Sequence, residues 1–179
     1  MASNAGTARD AIFRLVVSAA VGPRAHAPAR RRNAAEVVAG DVAAGDSIAA
    51  MPSVNEQGSY DVAPDEMWQR IGDFHGFHEW HPAIASQDEL EGGRVRALHL
   101  DGGGTVTETL LDEGERSYTY RIDESPLPVA DYTATLAVRD GDSGGCMVEW
   151  RAEFEAAGAS DEEAEQVISG IFRAGLDVL

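Results

Sequence analysis

Apolar and polar residues alternate along most of the second half of the chain. From Ile84 onward, short runs with this alternation are separated mostly by Gly or Asp-Gly. A period of two is typical of strands with one buried face, and glycine-containing breaks are typical of antiparallel hairpins. A further extended segment follows Pro52. The pattern predicts seven strands, at about 54–62, 84–90, 94–100, 105–111, 117–123, 130–139 and 146–156.

Two short helices are predicted between the first and second strands. Pro64 is followed by two acidic residues, a pattern typical of the first turn of a helix. Proline fits there because it has no amide N–H that would be left without a partner, and negative side chains are stabilised by the positive N-terminal end of the helix dipole. A helix over 64–72 is therefore expected, with a second at 76–79 that ends at the bend Trp80-His81-Pro82. Together these helices would close one end of the sheet.

A long amphipathic helix is predicted at the end of the chain. Ser160 and Glu163 have the spacing of a capping box, in which each side chain bonds the other residue's backbone amide. The apolar residues that follow form one buried stripe. They are Ala164, Val167, Ile168, Ile171, Phe172 and Leu176. A long helix lying across a curved antiparallel sheet of seven strands is an α+β fold.

The order of these elements resembles one protein family. Besides the helix at 64–72 and its bend, the resemblance rests on Thr-Glu-Thr-Leu-Leu around Glu108 and on the segments 118–122, 125–128, 132–136 and 148–150. These are similar to the SRPBCC superfamily (START-like, birch-pollen-allergen-like), in its polyketide cyclase/dehydrase branch. The resemblance covers residues 51–179 and implies the helix-grip fold, with an internal hydrophobic cavity between the helix and the sheet.

Strand alternation predicts which side chains face that cavity. On the last two strands the residues predicted to face inward include Tyr132, Leu136 and Trp150. On the strand at 105–111 the same alternation places Glu108 on the inward face between apolar neighbours. Applied to the preceding strand, the same rule puts Val95, Ala97 and His99 inside, with Tyr118 and Tyr120 nearby. The predicted ligand-binding residues are Trp80, His81, Val95, Ala97, Val106, Leu110, Tyr118, Tyr120, Tyr132, Leu136, Trp150, Ile168 and Phe172.

Glu108 is the most distinctive chemical signal. A buried carboxylate without a partner has a raised pKa, as a general acid or base near neutral pH requires, and His99 would stand across the cavity from it. The alternative is that Glu108 pairs with an Arg or Tyr or binds water. Plant abscisic acid receptors, which this stretch resembles, have a cavity-lining Glu at the matching position. Their latch and cavity Lys are absent, so only the lining role carries over.

Residues 1–50 differ in composition from the rest. The formal net charge is −17, yet six of the 14 basic residues lie in the first 33 positions beside only Asp10, and every basic residue is arginine. We expect a disordered or loosely helical extension, arising from a start codon assigned too far upstream or from a transit-like segment. The domain at 51–179 is strongly acidic, which disfavours binding to nucleic acid or anionic membranes.

Other signals narrow the function. The single Cys146 excludes an internal disulfide, and no apolar run is long enough to span a bilayer. His75, His78 and His81 do not share one helical face, so no metal is expected, nor a cofactor. A cytoplasmic monomer or homodimer is predicted, or an organellar one if the extension is a transit peptide.

Three functions remain open at this point. The first is binding of a small hydrophobic or aromatic molecule, such as a polyketide, isoprenoid or lipid. The second is a polyketide cyclase/dehydratase-type enzyme with Glu108 and His99 as acid and base. The third is protein interaction through the outer sheet face, which has few apolar residues.

Overall fold

The computed structural model describes residues 51–179, so the predicted N-terminal extension lies outside the described residues. This part of the chain contains seven strands and three α-helices, in the order β1 Ser53–Tyr60, α1 Pro64–Ile71, α2 Phe77–Trp80, β2 Ile84–Leu90, β3 Val95–Leu100, β4 Thr105–Gly114, β5 Ser117–Glu124, β6 Val129–Asp140, β7 Cys146–Ala156 and α3 Asp161–Leu176. Short 3₁₀ turns lie at Phe74–Gly76, Glu91–Gly93 and Asp142–Gly144. The predicted α+β class is confirmed.

All seven strands belong to one antiparallel sheet with the order β1-β7-β6-β5-β4-β3-β2. Each pair of neighbouring strands, except β1 and β7, is joined by a hairpin or a short connection. The predicted bounds of β2 and β7 agree with the structure, whereas β4 extends to Gly114 instead of ending at Leu111. Register shifts in β4–β5 and β6–β7 mark where the sheet bends.

Helix α3 packs on the inner face of the sheet and begins as predicted. Ser160 Oγ accepts a hydrogen bond from the Glu163 backbone amide at 3.2 Å, and Glu163 Oε2 accepts from the Ser160 amide at 2.9 Å. The Trp150 ring on β7 stacks on the Phe172 ring of α3, with 4.2 Å between centroids. This contact anchors the helix over one half of the sheet.

Gly175 lets α3 approach the bend before β2. A Cβ atom at this position would lie 2.8 Å from His81 Cδ2 and 3.0 Å from Trp150 Cζ3. Any larger residue would therefore push the helix away from both rings. No helix within residues 51–179 is long and apolar enough to cross a membrane.

Candidate functional site

A cavity of about 400 Å³ lies between α3 and the inner face of the sheet. Aromatic and aliphatic side chains form most of the cavity wall. Glu108, on the inner face of the sheet, adds a charged group to this wall. The loop after β3 and the bend after α2 border the same space. The lining residues are Phe77, His81, Pro82, Ala83, Ile84, Leu98, Leu100, Asp101, Gly102, Gly103, Val106, Glu108, Tyr120, Ile122, Leu127, Tyr132, Trp150, Ile168, Ile171 and Phe172.

Glu108 forms a buried ion pair with Arg96 on the neighbouring strand. The two residues are direct cross-strand partners in the β3–β4 ladder, so both side chains point to the inner face. Arg96 Nε donates to Glu108 Oε2 at 2.7 Å, and Arg96 Nη2 lies 2.6 Å from the same oxygen. The relative exposure is 0% for Arg96 and 5% for Glu108. Two opposite charges thus neutralise each other within the apolar wall.

Aromatic rings surround the Arg96 guanidinium. Its carbon lies 4.0 Å from the Phe74 ring centroid, 4.5 Å from that of Phe77 and 5.2 Å from that of Tyr120. These distances suit cation–π attraction. Arg96 Nη1 also donates to the Phe74 carbonyl oxygen at 2.5 Å, which ties β3 to the turn before α2. The guanidinium is therefore held from several directions.

The pair sets the protonation chemistry of the cavity. Burial raises the pKa of Glu108, and the charge and hydrogen bond of Arg96 partly offset that rise. The guanidinium stabilises the ionised carboxylate and so makes it a weaker base than a lone buried carboxylate. Glu108 Oε1 accepts no hydrogen bond from any described residue, because both Arg96 contacts go to Oε2.

Two tyrosines line the cavity beside this pair. Trp150 Nε1 donates a hydrogen bond to the Tyr120 hydroxyl at 3.1 Å. Burial raises the pKa values of both Tyr120 and Tyr132, so both phenols are neutral at physiological pH. They can offer hydrogen bonds to a bound molecule without adding charge.

His81 is buried beneath α3, with 1% exposure. Its Nδ1 accepts from the Ala83 amide at 3.2 Å, so Nε2 carries the proton and donates to the Ile171 carbonyl oxygen at 3.1 Å. The neutral ring satisfies both bonds. Burial lowers the pKa of His81 to about 4, with a backbone bond to Ile171 opposing the shift.

Some of the predicted ligand-binding residues border the cavity and others do not. Trp80, Leu110, Tyr118 and Leu136 belong to the surrounding apolar packing, without lining the space themselves. The predicted residues that line the cavity are His81, Val106, Glu108, Tyr120, Tyr132, Trp150, Ile168 and Phe172.

The predicted facing of β3 is wrong. Because Arg96 pairs with Glu108 and Leu98 with Val106, the even-numbered residues face the cavity, and Val95, Ala97 and His99 lie on the opposite face. His99 Nε2 lies 2.8 Å from Asp88 Oδ2, its Nδ1 lies 3.2 Å from Thr105 Oγ1, and its side chain is 39% exposed. The expected Glu108–His99 acid/base pair is therefore not present.

The sequence did contain a signal for Arg96. The Gly-rich turn after β3 brings Leu100 and Gly104 together, with the Leu100 amide donating to the Gly104 carbonyl oxygen. Counting outward from this turn pairs His99 with Thr105 and then Arg96 with Glu108. The register of this hairpin predicts the correct facing of the β3 side chains. The prediction from alternation was wrong because Val95 and Ala97 are apolar and were assigned to the inner face.

The chain is similar to several proteins of known structure. No curated protein matches the chain. Among solved structures, XoxI from Bacillus cereus is 37% identical, with a TM-score of 0.70 over 72% of this chain and 92% of that one. The Zhui aromatase/cyclase from Streptomyces sp. R1128 is 19% identical, with a TM-score of 0.59 over 72% and 90%.

A START superfamily protein from Mycobacterium smegmatis is 11% identical, with a TM-score of 0.55 over 70% and 94% of the two chains. At these lower identities the two likenesses show the fold alone. The family model described as polyketide cyclase/dehydrase and lipid transport matches residues 51–179, which is the whole described region. The chain therefore belongs to the polyketide cyclase/dehydrase and lipid transport family.

Proposed function

We propose that the protein binds a small, largely apolar molecule, of polyketide, isoprenoid or lipid type, in the cavity beneath α3. One observation carries this proposal: a space of about 400 Å³ has mostly apolar and aromatic walls and contains a carboxylate already paired with an arginine. Sites for small molecules are commonly of about 300–1,000 Å³, with apolar walls and a few polar groups. The volume and the lining both fit that description.

The aromatic part of the lining favours flat ligands. Phe77, Tyr120, Trp150 and Phe172 present rings to the space, and ring–ring contacts have preferred geometries that fix a ligand's orientation. Extended aliphatic chains would fill the same volume with less directional contact. An aromatic or polycyclic molecule is therefore the preferred occupant.

Catalysis of the cyclase/dehydratase type has less support. The proposed acid/base pair needed His99 inside the cavity, but its ring contacts Asp88 on the other face. Arg96 makes Glu108 a weaker base than an unpaired buried carboxylate, although burial still raises its pKa, and the two tyrosines are neutral. Binding requires none of these groups to transfer a proton.

A fluorescence titration of the full chain with N-phenyl-1-naphthylamine tests the proposal. Leu100→Trp adds bulk at a lining position, whereas Leu111→Trp adds the same bulk at an exposed position on β4. Leu100→Trp should weaken binding at least about tenfold, which is about 1.4 kcal/mol, and Leu111→Trp should leave it unchanged. Equal affinities in both variants would place the probe elsewhere and contradict the proposal.

Native mass spectrometry separates binding from turnover. The protein is incubated with a short linear poly-β-ketone, and the mass of the bound and released molecule is measured. Binding alone returns the ketone unchanged from wild type and from Glu108→Gln. A product lighter by one water from wild type, absent with Glu108→Gln, would instead support the enzyme.

A further inference from the structure

The charge arrangement in the cavity limits the polar group that a ligand can carry. Arg96 is the buried cation nearest to the space, but it is 0% exposed and does not line the cavity. Nε donates to Glu108 Oε2 and Nη1 donates to the Phe74 carbonyl oxygen, whereas Nη2 lies 2.6 Å from Glu108 Oε2 without a hydrogen bond of its own. The Phe74 and Phe77 ring centroids lie 4.0 and 4.5 Å from the guanidinium carbon. An anionic ligand group would have to displace Glu108 to reach it.

The other groups around the cavity do not attract an anion either. Asp101 is acidic, and His81 is neutral because its Nδ1 accepts from the Ala83 amide while Nε2 donates to Ile171. Tyr120 and Tyr132 are uncharged phenols. Among the lining residues, none carries a positive charge.

Glu108 Oε1 has the opposite character. It belongs to a carboxylate that is 5% exposed and lines the cavity, and it accepts no hydrogen bond from any described residue. A carboxylate oxygen that lines an apolar cavity and has no donor from the protein is open to a ligand N–H or O–H, which would complete its hydrogen bonding. A bond to a charged acceptor in an apolar site is stronger than one between neutral groups.

We propose that the cavity selects uncharged aromatic ligands with a hydrogen-bond donor, such as a phenolic or enolic hydroxyl, for Glu108 Oε1, and that it rejects carboxylates. This inference rests on the proposed binding function and specifies its ligand class. Arg96 neutralises the charge of Glu108 and positions its carboxylate, and Glu108 accepts the hydrogen bond from the ligand. Free fatty acids are excluded by the same arrangement.

Three matched naphthalenes test the selectivity of the full chain by isothermal titration calorimetry at pH 7. 2-Naphthol carries a donor, 2-methoxynaphthalene has the same ring without a donor, and 2-naphthoate is an anion. Wild type should bind 2-naphthol at least about tenfold more tightly than 2-methoxynaphthalene, as expected for a hydrogen bond to a charged group, and 2-naphthoate most weakly. Equal affinity for the first two, or tighter binding of 2-naphthoate, would overturn the inference.

Glu108→Gln should reverse the preference. The amide oxygen can still accept from Arg96, but the cavity then contains an uncompensated positive charge and an N–H donor. 2-Naphthol should lose its advantage, and 2-naphthoate should gain at least about tenfold in affinity. Glu113→Gln removes an exposed carboxylate from the same strand and should keep the wild-type order.

The two proposals fail in different ways. Binding of N-phenyl-1-naphthylamine at the cavity without discrimination among the three naphthalenes would overturn the selectivity and leave the binding function standing. Failure of every probe at the cavity would overturn both. Circular dichroism checks that Glu108→Gln is folded, and the wild-type comparison decides the question by itself if the variant is not.

Discussion

The inner face of the sheet has two unlike halves. On β6 and β7 the buried inward residues carry no charge and are mostly apolar, including Leu136, Trp150 and Phe154, and α3 packs on this half through the Trp150–Phe172 stack. On β3 and β4 the same face contains the Arg96–Glu108 pair and borders the cavity. One half excludes water and fixes the helix. The other provides a polar anchor where the helix leaves space.

The difference shows that buried side chains contribute to stability in two ways within one sheet. Apolar burial stabilises in proportion to area and does not depend on a partner. A buried charge stabilises only while its partner remains, because each ion has lost its hydration. The two halves should therefore respond differently to mutation and to pH.

Removal of Arg96 should give the largest effect. Arg96→Met leaves Glu108 as an unpaired buried carboxylate and should lower the free energy of unfolding by about 3–5 kcal/mol, measured by urea denaturation at pH 7. Arg139→Met breaks the surface contact between Arg139 and Glu149, with a 2.8 Å N–O distance, and should cost about 1 kcal/mol or less. Similar losses in the two variants would contradict the distinction between buried and surface pairs.

The same variant should show a pH dependence. Without Arg96, burial and the negative charge of Asp123 raise the pKa of Glu108 without opposition, so its folded-state pKa lies further above the unfolded value. A folded protein that binds more protons than its unfolded chain loses stability as pH rises. The deficit of Arg96→Met relative to wild type should be smaller at pH 5 than at pH 8. A deficit independent of pH would indicate that Glu108 is not the affected group.

The apolar half should lose stability independently of pH. Leu136 is completely buried on β6, and Leu136→Ala should lower the free energy of unfolding by about 2–5 kcal/mol through lost contacts and a cavity. The loss should be the same at pH 5 and pH 8, because no charged group is involved. Leu111→Ala, at an exposed site on β4, is the control and should change stability by about 0.5 kcal/mol or less.

His81, which packs beneath α3, offers a further test of pH dependence. Its pKa of about 4 in the folded protein is below the ordinary value near 6.5, so the unfolded chain binds more protons between these values. Stability from the neutral ring is complete above about pH 6.5 and should be lost as pH falls toward 4, by up to about 3 kcal/mol. Urea unfolding between pH 4.5 and 7.5 measures this slope, and an unchanged slope in His81→Gln would contradict it.

The helix cap should give the smallest effect. Ser160→Ala removes the side chain that accepts from the Glu163 amide and should cost about 1 kcal/mol in the free energy of unfolding. Ser59→Ala replaces an exposed serine on β1 and should change stability very little. Equal effects would mean that the cap does not stabilise α3.

Local patterns were enough to predict most of the fold. The capping box fixed the start of α3, and alternation on β6 and β7 gave the right facing because most of the large apolar residues, such as Leu136 and Trp150, have the same parity. On β3 both parities contain apolar residues. Val95 and Ala97 compete with Leu98 and Leu100, so polarity alone could not choose between the two faces.

The sequence by itself determined the order of strands and helices and an inward carboxylate at Glu108, because these follow from short-range periodicity and capping, and its resemblance to known proteins indicated the family. Only the tertiary structure decided that Arg96 neutralises that carboxylate, that His99 lies outside, and that Gly175 lets α3 close over His81. The physical reason is that a charge in the core depends on its partner across the sheet. The register of the β3–β4 hairpin chooses that partner, whereas packing over long sequence distances places Gly175 against His81.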